Sequence, residues 1–382
     1  MPDVIVVGAG PVGTLLAAEL TRQGVDTTIV ERRAAAGQGS RAIGLHAPTL
    51  RALEAGGTTE RILAGAVRVR RGEARSAGRL LGTVRFDRLD TRHPYVATLP
   101  QASTQAALAV GAPAPLRGER VRDITPEGDT LRVGLTGRDL TAPLVVVAGG
   151  VGARDLVFRP GALRRTAYPD RYLMTDAALP PRADAEVAVV HLSPHGVLES
   201  FPLPNGARRF VAWDAPGDDA GDDDDAKLGR LRTALRERGE GDAADAITGA
   251  SDFAVRRVLA PAMRRDRLFV IGDAAHEISP IGGQGLNLGL LDAVTLAPLL
   301  TEWVHSGWPP ETGLDRWEQN RLRSARTAGR MAAVNMRLGR PLPPAAYRAV
   351  TGSLGALLAA TGSLVPHAYA MGFDAAAQRG SA

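Results

Sequence analysis

Asp273 is the residue from which chemistry is most directly read. It follows Leu268–Ile271, a short apolar run ending at Gly272, the pattern of a buried strand that stops where the backbone must turn. Open α/β sheets bind ligands beyond the carboxyl ends of their strands, which is where this carboxylate falls. Pro280, Gly282, Gly283 and Gly285 come next and let the backbone approach a flat ligand with no side chain between. Apolar residues then recur at helical spacing in LNLGLLDAVTLAPLL, so a helix is expected from about Gly285, its N-terminus aimed back at the glycines. The backbone N–H groups of Leu286 and Asn287 would face a ligand's negative charge, an end effect worth about 0.3–2 kcal/mol.

A second constellation opens the chain. Asp3–Val7 reads as a buried strand, Gly8-Ala9-Gly10-Pro11-Val12-Gly13 as a glycine turn, and Thr14–Gln23 as a helix ended by Gly24. This is GxGxxG in the strand–turn–helix setting that gives it meaning. Gly8 makes the turn, Gly10 admits a pyrophosphate to the backbone, and Gly13 lets helix and strand pack closely. A second strand, Thr27–Val30, runs into Glu31, with Arg32 beside it. A carboxylate there accepts from ribose hydroxyls and repels a 2′-phosphate, which favours FAD or NAD over NADP as the tightly held nucleotide.

The residues Gly272, Asp273, Ala274, Ala275, His276, Pro280, Gly282, Gly283, Gly285 and Asn287 match GDAAHxxxPxGGxGxN. In this the chain resembles the FAD-dependent aromatic hydroxylases, single-component flavoprotein monooxygenases of the p-hydroxybenzoate hydroxylase type. The resemblance implies FAD lying extended, with adenosine at Glu31, pyrophosphate on Gly8–Gly13, ribityl near Asp273, and ring against Pro280–Asn287. It also implies dioxygen chemistry through a flavin C4a-hydroperoxide, NADPH or NADH as a transient reductant, and an aromatic or polycyclic, polyketide-like substrate from specialised metabolism. Arg41 and Gln101 occupy positions where the family contacts FAD; Gln101 also reads as a plain helix cap, and Arg41 as a surface arginine. His46, at a helix start, reads as structural or as facing substrate, as does Pro280. No catalytic acid or base is nominated. The family's GADGARSxVR is represented by Gly152, Ala153 and Arg154, but Val151, Asp155 and Phe158 replace its aspartate, serine and last arginine. That departure bears on the reductant step and leaves the fold untouched.

These residues require a scaffold. The resemblance implies an α/β fold: a Rossmann-like FAD-binding domain, an interleaved mixed β-sheet substrate domain and a helical C-terminus. The expected division assigns 1–70, 100–170 and 266–310 to FAD, 71–99 and 171–265 to substrate, and 311–382 to helices packing on the FAD domain. Hairpin strands are expected within Val67–Asp87, a helix over Ala47–Ala55 and another from Gln101. A meander is expected at Arg120–Ile124 and Thr130–Leu135, and a buried strand at Leu144–Val147. Tyr172–Ala178, Glu186–Leu192, Val197–Leu203, Arg208–Trp213 and Phe253–Leu259 read as substrate-domain strands. Asp218–Asp225 reads as a solvated acidic loop, followed by a helix at Leu228–Arg238. Glu311–Arg337 is a long amphipathic helix. The apolar pieces of Ala345–Phe373 would cover the substrate mouth or make a subunit contact.

Composition narrows the function further. There is no cysteine, which excludes disulfides, thiolate metal sites and cysteine nucleophiles; no metal site is expected. The net charge of +5 rests on arginine, Lys227 being the only lysine. With so much Ala, Gly and Pro this matches a GC-rich bacterial genome rather than a nucleic-acid footprint, and nucleic acid is not an expected partner. Without a signal peptide or an uninterrupted apolar run of about 20 residues, a cytoplasmic protein with no membrane span is expected; the oligomeric state is open. A flavin halogenase would need WxWxIP and a tunnel lysine, which are missing. A dehydrogenase or reductase on the same scaffold, or a non-catalytic carrier, remain the alternatives.

Overall fold

The computed structural model of the chain describes residues 1–35, 37, 42–215, 223–360, 364–371 and 374. Val4–Val7 is buried at every position and lies at the heart of a six-stranded sheet. It pairs in parallel with Thr27–Glu31 on one side and with Leu144–Val147 on the other, and Leu268–Val270 extends the parallel run. Strands buried on both faces read as unbroken apolar runs, as VIVV and LVVV do. Because the four strands share one direction, their carboxyl ends fall along one rim. Gly8, Glu31, Gly149 and Asp273 are therefore neighbours although they are spread over most of the chain.

The two glycine motifs also touch directly. Helix Pro11–Arg22 packs on helix Gln284–Ser306. At Gly289 a Cβ would lie 2.6 Å from Val12 Cγ2 and 3.1 Å from Gly272 Cα, so the approach is closer than any larger residue permits. A Cβ at Gly13 would fall 2.0 Å from the Gly8 carbonyl oxygen. Close packing of helix on turn is thus built into both sequences.

The second sheet has eight strands, mostly antiparallel, in the order 276–277, 251–259, 165–178, 207–214, 198–202, 188–192, 71–76, 79–85. One face packs Leu173, Leu198, Phe210 and Ala212 against the short helices Asp224–Arg236 and Gly241–Ala246. The other face packs Tyr172, Val197, Val211 and Phe253 against Ile281 of the glycine loop and Met336 of the long helix Glu311–Gly339. His276–Glu277, inside the Asp273 motif, pairs with Val258–Leu259 as the sheet's edge strand. The motif thereby joins both halves of the molecule.

Several expected elements have different limits. Tyr172–Ala178 is the end of a longer strand, Arg165–Ala178, whose pairing with 251–259 is shifted between Ala167 and Arg171; the irregularity hides the strand's first half from a period-two reading. The meander starts at Asp123 rather than Arg120. The expected helix at Leu228 begins at Asp224, because the Asp223 side chain caps it by accepting from the Ala226 N–H at 2.7 Å. Part of the acidic run is thus a cap and first turn, where negative charge is favourable, and its positions 218–222 lie outside the described residues. Toward the C-terminus, helices Pro344–Ala360 and Leu364–Tyr369 lie against strand Arg79–Arg85 of the substrate sheet. Tyr347 fixes the first of them by donating to the Leu192 carbonyl at 2.9 Å.

Candidate flavin and substrate site

A single cavity of about 1330 Å³ runs along the strand rim and on between the glycine loop and the substrate sheet. Of the residues expected to bind cofactor, Gly8, Gly10, Glu31, Arg32, Gln101, Asp273, Pro280, Gly282, Gly283, Gly285 and Leu286 all line it. Gly13 and Asn287 stand behind the lining. Arg41 lies outside the described residues.

At the first end, Glu31 is buried and its carboxylate accepts from the Ala9 N–H and the Arg33 N–H, both at 2.9 Å. Burial opposes its ionisation, but these N–H groups and the Arg33 side chain outweigh it and hold its pKa below the usual carboxylate value. A carboxylate has about four lone-pair sites, so acceptor capacity is left toward the cavity. Gly10 precedes a helix start that carries no side-chain cap. With a φ of −76° it needs no glycine for its backbone, and a Cβ there would meet no protein atom within 4 Å. The missing side chain thus clears space that the protein itself does not fill, beside unsatisfied N–H groups. Both features fit a bound pyrophosphate.

In the middle of the cavity, Asp273 has an exposed side chain between buried neighbours. Its backbone is clamped by Arg154, which is buried and donates to the Asp273 carbonyl at 2.6 Å and the Ala274 carbonyl at 3.3 Å while pairing with Glu277 at 2.9 Å. Below the motif, the fully buried Asp292 accepts from the Gly272 N–H at 3.0 Å and contacts His276 Nε2 at 2.6 Å and Arg321 Nε at 2.7 Å. Arg321 in turn pairs with Asp374 at 3.0 Å. Burial favours neutral groups here, yet mutual charge prevails: His276 is shifted up and Asp292 down. Gln101 opens helix Gln101–Ala109, and its Oε1 accepts from the Ala42 N–H at 3.4 Å.

Gly282 and Gly283 have φ of +94° and +65°, backbone that L-residues rarely adopt. Gly283 is the N-cap of the 23-residue helix Gln284–Ser306. The Asn287 side chain is committed to the protein: it accepts from the His46 N–H at 2.9 Å and donates to the Gly44 carbonyl at 2.8 Å and the Gly283 carbonyl at 3.0 Å. It therefore pins the 44–46 segment to the glycine loop. His46 lines the cavity, and its buried ring nitrogens have no hydrogen-bonding partner among the described residues. Burial, opposed only by the Gly283 backbone, lowers its pKa to about 4, so the ring is neutral. Val151, in the family's aspartate position, also lines the cavity and is 41% exposed.

In the sequence Arg154 is a motif match with no role attached, and Asp292, Arg321 and Glu199 carry no local pattern that marks them as functional. Among the described residues, no group of three or more His, Cys, Asp or Glu is placed to hold a metal ion, and no helix is long and apolar enough to cross a membrane.

A dinucleotide-binding parallel sheet, joined through a glycine loop to a mixed sheet with one cavity between, defines a flavoprotein of the hydroxylase type. Residues 1–332 match the family described as FAD binding domain, and the chain belongs to that family. It is 33% identical over 340 residues to rifampicin monooxygenase of Rhodococcus hoagii, covering 84% of this chain and 68% of that protein. It is also 33% identical over 360 residues to 6-methylpretetramide 4-monooxygenase of Streptomyces rimosus, covering 87% and 62%. Among solved structures, OxyS anhydrotetracycline hydroxylase from Streptomyces rimosus superposes with a TM-score of 0.76 at 28% identity, over 97% of this chain and 75% of that one. The fold is shared with p-nitrophenol 4-monooxygenase PnpA from Pseudomonas putida DLL-E4, TM-score 0.83 at 24% identity, over 99% and 98%. The chain is an FAD-dependent monooxygenase.

Proposed function

We propose that this enzyme hydroxylates or epoxidises an aromatic or polycyclic, polyketide-like small molecule, using dioxygen and NADPH or NADH as a transient reductant. One observation carries the reading: the cavity exceeds the roughly 300–1,000 Å³ of an ordinary small-molecule pocket and continues from the dinucleotide rim to an apolar sheet face. A second molecule fits beyond the cofactor. The relatives whose names specify rifampicin and pretetramide substrates support the polycyclic class.

In this reading Glu31 and Arg32 hold the adenosine end, Gly8–Gly13 the pyrophosphate, Asp273 and Gln101 the ribityl region, and Pro280–Asn287 the ring. Bound FAD supplies the redox and dioxygen chemistry. The protein's part is position, charge and dryness. The start of helix Gln284–Ser306, with the Leu286 and Asn287 N–H groups, favours negative charge beside the glycine loop. His46 and Pro280 face the substrate side. Only one complete nucleotide fingerprint is present, which supports transient rather than resident nicotinamide, and Val151 in the family's aspartate position bears on how that reductant docks. The test is turnover of a polycyclic phenol by FAD-loaded protein under labelled dioxygen. One labelled oxygen atom in the product is expected with NADPH or NADH. Product without label, whatever the donor, would instead support the dehydrogenase alternative.

A further inference from the structure

Strand register places one ionisable residue in the centre of an apolar surface. Across the substrate sheet, the pairings align Gly82, Ala74, Val190, Glu199, Val211, Met174 and Ser251 in one transverse row. Directly paired residues share a face, so Glu199 points the same way as Val211, toward Ile281 of the glycine loop and Met336. It lines the cavity, is only 9% exposed, and has no hydrogen bond or ion pair among the described residues. One row along, Tyr172 is fully buried with an unpartnered hydroxyl.

The other charged groups around it are occupied. Asp170, behind Tyr172, is paired with Arg340 at 2.7 Å. Arg209, on the opposite flanking row, is paired with Asp176 at 2.7 Å. Tyr369, from the C-terminal helix, contacts Asn335 at 3.1 Å. Leaving a carboxyl buried without a partner is costly, and nothing in the fold uses it.

We propose that Glu199 is a catalytic base that receives the proton of a phenolic or enolic hydroxyl on the substrate, and thereby selects hydroxylated aromatics. The substrate O–H bond breaks heterolytically, its electron pair stays on the substrate oxygen, and the proton forms an O–H bond on the Glu199 carboxylate. No oxidation state changes in this step. The electron-rich oxygen activates the ring for electrophilic oxygen transfer, so the role rests on the monooxygenase reading. Burial raises the Glu199 pKa to about 7, close to the operating pH at which a general base is most effective.

The test uses the FAD-loaded full chain and two probes, 4-nitrophenol and its methyl ether 4-nitroanisole, with binding read from perturbation of the flavin spectrum. Binding needs no turnover, so its outcome is separate from that of the oxygen-labelling experiment. Wild type is expected to prefer the phenol by at least about tenfold, the scale of a hydrogen bond to a charged group. E199Q should lose that preference and E199D should recover part of it. In turnover, the wild-type kcat profile should show a limb near pH 7 that is missing in E199Q. Removing an unpartnered buried carboxyl should also raise the Tm of E199Q, most above pH 7 and little below pH 5, because only the ionised form is disfavoured. An unchanged phenol preference in E199Q, no preference in wild type, or failure of wild type to bind either probe would each overturn the assignment. An E199Q chain that fails to fold would do so too, since it would give the carboxylate a structural partner.

Discussion

Gly10 and Gly13 are three residues apart in one motif, yet they are glycine for different reasons. At Gly13 a side chain would strike the Gly8 carbonyl; Gly13→Ala is therefore expected to destabilise the chain by about 3 kcal/mol, checked by chemical denaturation. At Gly10 a side chain would strike nothing in the protein. Gly10→Ala should keep apo-protein stability within about 0.5 kcal/mol while weakening FAD binding at least tenfold, about 1.4 kcal/mol, as read by flavin fluorescence quenching. Equal losses in both variants would remove the argument that the space at Gly10 is kept for a ligand. His46 gives a pH prediction with a definite sign. Its folded pKa, about 4, lies below the usual 6.5, so the stability it contributes is present above pH 6.5 and is lost as pH falls toward 4. The total is on the order of 3 kcal/mol; His46→Asn should flatten this part of the stability–pH curve. The glycine motifs and Glu31 were legible in the sequence because a turn, a close approach and a strand end are local constraints. Glu199 was not, since a lone acid in an alternating strand looks the same whether it faces water or a cavity.

At the scale of elements, the Asp273 motif is held from two sides by buried charge. Asp292→Asn leaves Arg321 and His276 without their shared carboxylate and should cost about 3–5 kcal/mol, with FAD lost on dilution because the Gly272 turn loses its anchor. The pH dependence of this network follows from the two shifts. His276 is raised, so its contribution is full below its unfolded value and fades as pH rises through the folded one. Asp292 is lowered, so its contribution is present above its unfolded value and fades as pH falls through the folded one. Thermal melts in Asp292→Asn across this range should lose both limbs. Arg154→Lys should likewise loosen FAD, since a lysine cannot replace three donations to Asp273, Ala274 and Glu277. None of these partners was readable from the chain. Arg154 and Asp273 are 119 residues apart, and no propensity or period reports such a pairing. Strand identity was legible, whereas strand limits failed at the irregularity between Ala167 and Arg171 and at the Asp223 cap.

The whole molecule is organised so that one parallel sheet presents four loops along a rim, and one of those loops continues as the edge strand of the second sheet. That continuity makes the cofactor region and the substrate chamber a single cavity. Resemblance of sequence pointed to this arrangement because both motifs are long and glycine-bound, while the chamber's lining came only from three-dimensional register. The most direct measurement is an experimental structure of the chain with FAD. One dinucleotide is expected stretched along the rim, with Glu31 and Asp273 both within hydrogen-bonding distance of it and the space beneath Glu199 left for substrate. A dinucleotide that reaches only one of those two carboxylates, or that fills the chamber under Glu199, would contradict it.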